Sequence, residues 1–239
     1  MDAEHHLIVT HDVITTVSDR HQLTRMAKQA REAMGVEGLT AVADRGYHKS
    51  DEILACEQAG ITAVLPRPQP SDRRLKGPFG RDRFRYAPDS NTYRCPAGES
   101  LIWRYRNVED GRALDTYWSS ACPRCSIKAQ CTQGVQRRIE RWEHEEVLDA
   151  MQARLDAHPE TMRVHRQTVE HPFGTLKAWM GATRFVTRTL PRVRTEMSLH
   201  VLAYNLKRMM AIMGPQSLMA ALRACPRRKL ASWGGPTRA

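Results

Sequence analysis

The sequence predicts an α/β layer, interrupted by a strand- and loop-rich insertion and completed by helices. Three observations carry this. Short β-branched runs alternate with helical periods up to residue 65, a proline-rich break follows at 66, and the helical period returns from Trp142. Leu7-Ile8-Val9-Thr10-His11-Asp12-Val13-Ile14 is short, apolar and β-branched and reads as a strand. Ser18-Asp19 can cap a helix, Leu23, Met26, Ala27, Ala30 and Met34 recur at helical spacing, and Gly35 ends the run. Leu39–Ala43 reads as a second strand ending at Asp44, Ser50 can cap a helix through Ala59, and Ile61–Leu65 reads as a third strand.

Pro66-Arg67-Pro68-Gln69-Pro70 can continue neither a helix nor a strand. Residues 67–141 hold most of the aromatics and four of the six cysteines but no long helical period, and they read as an inserted module. After it, Val147, Leu148, Met151 and Leu155 share a helical face. Leu199, Leu202, Leu206, Met209 and Met213 step by 3, 4, 3 and 4, which predicts a strongly amphipathic helix with its methionines as core filling. The organisation expected is 1–66 as the first part of the α/β domain, 67–141 as the insertion, 142–215 as the second, helical part, and 216–239 as a basic tail. No internal repeat is visible.

Composition narrows the function. The chain has 239 residues, 41% hydrophobic and 26% charged, which suits an ordinary folded protein. No apolar run approaches the roughly 20 residues that span a bilayer, and the polar start Met1-Asp2-Ala3-Glu4-His5-His6 does not read as a secretory signal. Lys and Arg number 37 against 26 Asp and Glu, a net charge of +11. The surplus is concentrated: residues 67–141 carry 16 basic and 8 acidic residues, and residues 200–239 carry 7 basic and none acidic. Such segments suit a polyanion, and nucleic acid is the partner expected.

Candidate chemistry lies in four places. Asp44, in Ala43-Asp44-Arg45-Gly46-Tyr47, stands at the carboxyl end of an expected strand, where open α/β sheets place catalytic groups; the plainer reading is a turn residue. Arg163, Arg166, Glu170 and Lys177 are spaced 3, 4 and 7 and fall near one helical face. One carboxylate among three cations suits metal and phosphate binding, against the commoner ion-pair ladder. Pro172 just after Glu170 argues for a kink and against a ladder. Asp2 by itself is an ordinary terminal residue. Cys95, Cys122, Cys125 and Cys131 include a C-x2-C pair and can supply four thiolates to zinc, with disulfides as the rival.

Taken together, these segments resemble the bacterial insertion-sequence transposases of the DDE class. The residues that carry the likeness are Asp2–Val9, Val42–Tyr47, Tyr93–Gly98, Trp142–Glu145, Val169–Lys177 and Leu202–Arg208, in that order, over about residues 2–215. The resemblance implies an RNase H-like three-layer fold with a cysteine-containing insertion between the second and third carboxylates. It implies catalytic, metal-binding roles for Asp2, Asp44 and Glu170, holding two Mg2+ or Mn2+ ions, and phosphate contacts for Arg166 and Lys177. Arg163 stands where the family has tyrosine. The implied activity is cleavage at transposon ends and their joining to target DNA by two-metal phosphoryl transfer. The implied partners are duplex DNA and, when assembled on it, further copies of the chain, in a cytoplasmic, nucleoid-associated setting. In that family a longer N-terminal region precedes the first carboxylate. The expectation is therefore an N-terminally truncated catalytic domain; the alternative is an inactive remnant that only binds DNA.

Overall fold

The structure is a computed structural model that describes residues 1–68 and 79–224. Within them the chain packs as two compact units. One comprises residues 18–28 and 37–161, and the other residues 1–17, 29–36 and the chain from Met162. The unit boundaries cross the segment divisions at 66/67 and 141/142: the early α/β elements and the insertion share a unit.

The helical period from Leu23 forms α1 (Leu23–Met34), whose first residues, to Lys28, belong to the unit that holds the insertion, and which closes at Gly35 with φ +63. Ser18 caps a short 3-10 turn, Asp19–His21, ahead of it. Strand β1 (Leu39–Val42) is followed by α2 (Ser50–Gln58) and β2 (Ile61–Val64), and β1 and β2 pair in parallel from Leu39 opposite Ile61 to Val42 opposite Val64. A parallel pair needs such a crossover, and the helix provides it. Lys49, not Ser50, occupies the cap position of α2, and it makes no side-chain cap bond.

The insertion is a five-stranded antiparallel sheet among the described residues. It runs in sequence order through β3 (Arg85–Ala87), β4 (Thr92–Arg94), β5 (Ser100–Glu109), β6 (Arg112–Trp118) and β7 (Ile139–Trp142). Asp110 and Gly111 close the long β5–β6 hairpin, both with positive φ (50 and 76). That conformation gives a two-residue turn the twist its strands need. Residues between β6 and β7 contain the one-turn helix α3 (Lys128–Cys131). Helix α4 (Glu145–Ala157) follows β7.

This unit has two cores. Leu23, Ala27, Ile53, Cys56, Ile61, Ala63, Leu65, Trp142, Leu148 and Met151 join α1, α2, β2 and α4. Among the described residues, the hydrophobic cluster of the insertion is Phe84, Tyr93, Leu101, Tyr117 and Ile139. Strand β7 serves both, with Ile139 in the small core and Trp142 in the large one. Glu145 is buried at 3% exposure where α4 begins, and Arg81 and Arg67 lie 2.9 Å and 3.6 Å from its carboxylate. Burying a carboxylate is tolerable only with such partners.

The other unit contains α5 (Thr161–Gly174), a π-helical stretch at Thr175–Trp179, α6 (Leu190–Met213) and α7 (Pro215–Ala224). Two expectations are corrected here. Residues 7–14 form no strand among the described residues; the Asn205 side chain of α6 takes up the backbone groups of Ile8 instead. The seam on α6 is also not core: Leu199 and Leu202 are each 61% exposed, and Val201 and Tyr204 are the buried positions. The helical period identifies an apolar face, but burial requires a neighbour to cover it. The first part of the expected tail is helical in α7, and residues 225–239 lie outside the described residues. Among the described residues, no helix is long and apolar enough to cross a membrane.

Candidate functional site

Asp44 directly follows the β1 end of the parallel pair, where the amide of Ala43 still donates to the Val64 carbonyl at 3.1 Å. Its side chain is exposed, and Oδ1 accepts the amide of Gly46 at 2.8 Å, capping the 3-10 turn Arg45–Tyr47. A Cβ on Gly46 would meet that same Oδ1 at 3.0 Å, so glycine leaves the carboxylate room to fold back. The motif Asp44-Arg45-Gly46 thus holds one carboxylate oxygen, while Oδ2 makes no such bond among the described residues. Burial, together with the charges of Asp19 and Asp44, raises the pKa of the adjacent Tyr47. Burial also keeps His48 neutral to lower pH than usual, and its Nε2 is buried without a hydrogen-bond partner among the described residues.

Asp2 is tied down rather than frayed. Its amide donates to the Leu7 carbonyl at 2.9 Å, and its carboxylate accepts the amides of Glu4 (3.0 Å) and His5 (2.8 Å), with the His5 ring at 3.3 Å. Partial burial acts to raise its pKa, but the two amides and His5 outweigh it and leave it below the usual carboxylate range.

The segment after Asp2 is clamped from α6. Arg208 Nε donates to the His5 carbonyl (2.8 Å) and Tyr204 Oη to the His6 carbonyl (2.9 Å). Asn205 accepts the Ile8 amide and donates to the Ile8 carbonyl, both at 2.9 Å. An amide side chain thereby supplies the pair of bonds that a neighbouring strand would have made. Tyr204 has one proton, given to His6, so the contact of 3.2 Å with His171 Nδ1 requires that nitrogen to be the donor. His171 follows Glu170, so Tyr204 is the side chain at which the Asp2 segment and α5 meet.

Glu170, Arg166 and Arg163 are exposed on α5. Glu170 and Arg166 have no ion-pair or hydrogen-bond partner among the described residues, so the ladder that their spacing allows is not formed. Pro172 lies inside α5, and the chain passes three residues later into the π-helical stretch that carries Lys177. There Lys177 is exposed, with its ammonium 6.0 Å from the Phe173 ring. A proline followed by a π segment is a common mark of a locally shaped helix.

Asp2 and Glu170 belong to one compact unit and Asp44 to the other. Among the described residues, no group of three or more His, Cys, Asp or Glu side chains is arranged to hold a metal ion. The carboxylates are the hard oxygen donors that magnesium takes, so the donor chemistry suits the ion, but the described arrangement does not join three of them.

The four insertion cysteines do gather. Cys95, Cys122, Cys125 and Cys131 are free thiols, and they line one cavity of about 20 Å3 with Phe84, Leu101, Ile127, Lys128 and Arg137. Burial raises the Cys131 pKa, with the other three thiols adding to the effect and Arg137 opposing it.

Sequence reasoning gave no role to Tyr204, Asn205, Arg208 or Glu145. The available signal was polar side chains at adjacent and i, i+4 positions on an apolar helix, and a Glu at the foot of α4.

A family model described as the transposase DDE domain matches residues 94–210. That span holds Glu170, Arg166, Lys177, the four cysteines and the α6 clamp, and leaves Asp2 and Asp44 outside it. No curated protein and no solved structure matches the chain. Over residues 94–210, just under half of its length, the chain is similar to the transposase DDE domain.

Proposed function

We propose that the chain is the catalytic part of a DNA transposase, with Asp2, Asp44 and Glu170 as its metal-binding carboxylates within an RNase H-like layer. The observation that carries the reading is the state of Glu170. It is an exposed carboxylate inside the matched family span, flanked by cations yet paired with none of them among the described residues. Asp44 supports it, standing exposed beyond a parallel strand with one oxygen held by Gly46. When bound, Mg2+ or Mn2+ ions supply an activated nucleophile and stabilise the leaving oxygen of an in-line displacement. The chain's own residues do the rest. Asp2, Asp44 and Glu170 present the oxygens. Arg166, one turn before Glu170, and Lys177, beyond Pro172, offer charged donors to the phosphates of transposon ends and target. No covalent enzyme intermediate is required, so no nucleophilic side chain is assigned.

The test is nicking of supercoiled plasmid by the chain with Mn2+ or Mg2+, with duplex binding measured separately in Ca2+. Asp44→Asn and Glu170→Gln are each expected to lower nicking by about a hundredfold or more while binding persists. Nicking by both variants at the unaltered rate removes these residues from the site.

A second reading rests on the basic residues concentrated in 67–141 and 200–239, which suit a polyanion without any chemistry. Under it the chain binds DNA without cutting. Binding with no metal-dependent nicking by the unaltered chain selects this reading over the first.

A further inference from the structure

The insertion needs more than its own core to hold its shape. It spans β3 to β7, yet its buried cluster is five side chains, against which Cys95 and Cys131 pack. Modules with so little apolar interior are commonly stapled by disulfides or by a metal. The weak part is the connection from residue 119 to 138, which contains two short turns and α3. It is held locally by bonds such as Cys125 N to the Cys122 carbonyl (3.2 Å) and Lys128 N to the Cys125 carbonyl (3.2 Å).

Local chemistry converges on this connection. Cys95 sits in a tight turn at the end of β4, where the Gly98 amide donates to the Cys95 carbonyl and the Cys95 amide to the Glu99 carbonyl, both at 2.9 Å. Gly98 takes φ +83 there, a conformation that glycine adopts freely. Cys122 and Cys125 bracket the next turn, and Cys131 ends α3. All four thiols line one cavity of about 20 Å3. That is little more than the space of one water, too small for an organic ligand and suited to one ion. Arg137 lines the same cavity, and its Nε is buried without a hydrogen-bond partner among the described residues. A buried N–H without an acceptor is costly, and a thiolate sulfur beside it would satisfy it.

We propose that Cys95, Cys122, Cys125 and Cys131 bind one structural zinc ion that pins the β6–β7 connection to the β4–β5 turn. Four thiolates on a divalent ion carry a net charge of −2, and Arg137 and Lys128 at the cavity offset it. Zinc–sulfur bonds are about 2.3 Å. As described, the sulfurs line the cavity without forming a metal-holding group, so binding draws them inward by side-chain rotation and settling of the irregular connection. Each thiol gives up its proton to the solvent on binding. This site is independent of the carboxylate chemistry, so it can fail while the transposase reading stands, and the reverse.

The experiment uses the whole chain, purified under reducing conditions without chelator. Metal analysis is expected to give one zinc per chain. Replacement by Co2+ should give the visible bands and intense thiolate-to-cobalt absorption of a tetrahedral sulfur site. Cys122→Ser with Cys125→Ser should lose both signals, and Cys56→Ala, in the other core, should keep them. If the double variant does not fold, the cobalt spectrum of the unaltered chain decides. Absence of stoichiometric zinc together with no cobalt–thiolate absorption overturns the proposal. So does a disulfide among the four found by mass spectrometry in the reduced preparation.

Discussion

At the residue scale, polar atoms are placed by what would otherwise be left unsatisfied. Asn91 has φ 47, and its Oδ1 accepts both the Tyr86 hydroxyl (2.9 Å) and the Tyr117 hydroxyl (2.7 Å). Tyr117 is 1% exposed in the small insertion core, and burial pushes its pKa from 10.0 up to about 12. The sign follows from linkage: folding favours the neutral phenol. Its stabilisation is complete below the ordinary tyrosine range and is lost as pH climbs from about 10 through 12. Tyr117→Phe should cost about 1 kcal/mol at neutral pH. The gap to the unaltered chain should close on the alkaline side, as read from urea melts across pH. A gap that stays constant to pH 12 would refute the assignment.

At the element scale, α6 acts as the partner of an unpaired chain segment. Asn205 makes both bonds to the Ile8 backbone, with Tyr204 and Arg208 binding the neighbouring carbonyls. Asn205→Ala removes two of these bonds and should destabilise the unit by about 2 kcal/mol. Hydrogen exchange checks the location: the Ile8 amide should lose protection ahead of the rest of the unit. Unchanged protection at Ile8 would show that the clamp does not hold the segment that carries Asp2. The helices themselves were legible, since α1, α2, α4 and α6 follow from period and punctuation. The insertion was legible as strand-rich from Pro66 onward, although its strand order was not. Asp110-Gly111, which closes the β5–β6 hairpin with positive φ at both residues, is a local signal that the sequence reading did not use.

At the scale of the whole molecule, charge is the property with the longest reach. A net charge of +11, concentrated in residues 67–141 and 200–239, should give duplex binding dominated by phosphate contacts. Affinity is expected to fall on the order of a thousandfold between about 50 and 200 mM salt, with little dependence on sequence for random duplexes. A salt-insensitive affinity would show that the basic segments are only a solvated surface. The ion pairs within the insertion's unit use part of this charge: Arg67 and Arg81 go to Glu145, and Arg141 lies 3.0 Å from Asp149. Exposed cations such as Arg166 and Lys177 are therefore better placed for DNA than the raw count suggests.

The sequence by itself determined the alternation of strands and helices, the break at Pro66, the position of Glu170 among cations and the grouping of four cysteines in one segment. Each depends on local period, turn chemistry or spacing, which a chain carries wherever it folds. Tertiary structure decided the rest. It left residues 7–14 without a strand among the described residues, with Ile8 clamped by Asn205, where β-branched composition pointed to a strand, because a strand requires a partner. It left Leu199 and Leu202 exposed, because an apolar stripe is core only where another element covers it. It buried Glu145 between two arginines and brought Cys95 to one cavity with Cys122, Cys125 and Cys131. Those outcomes depend on which segments meet across long stretches of chain, and no local pattern of residues specifies that.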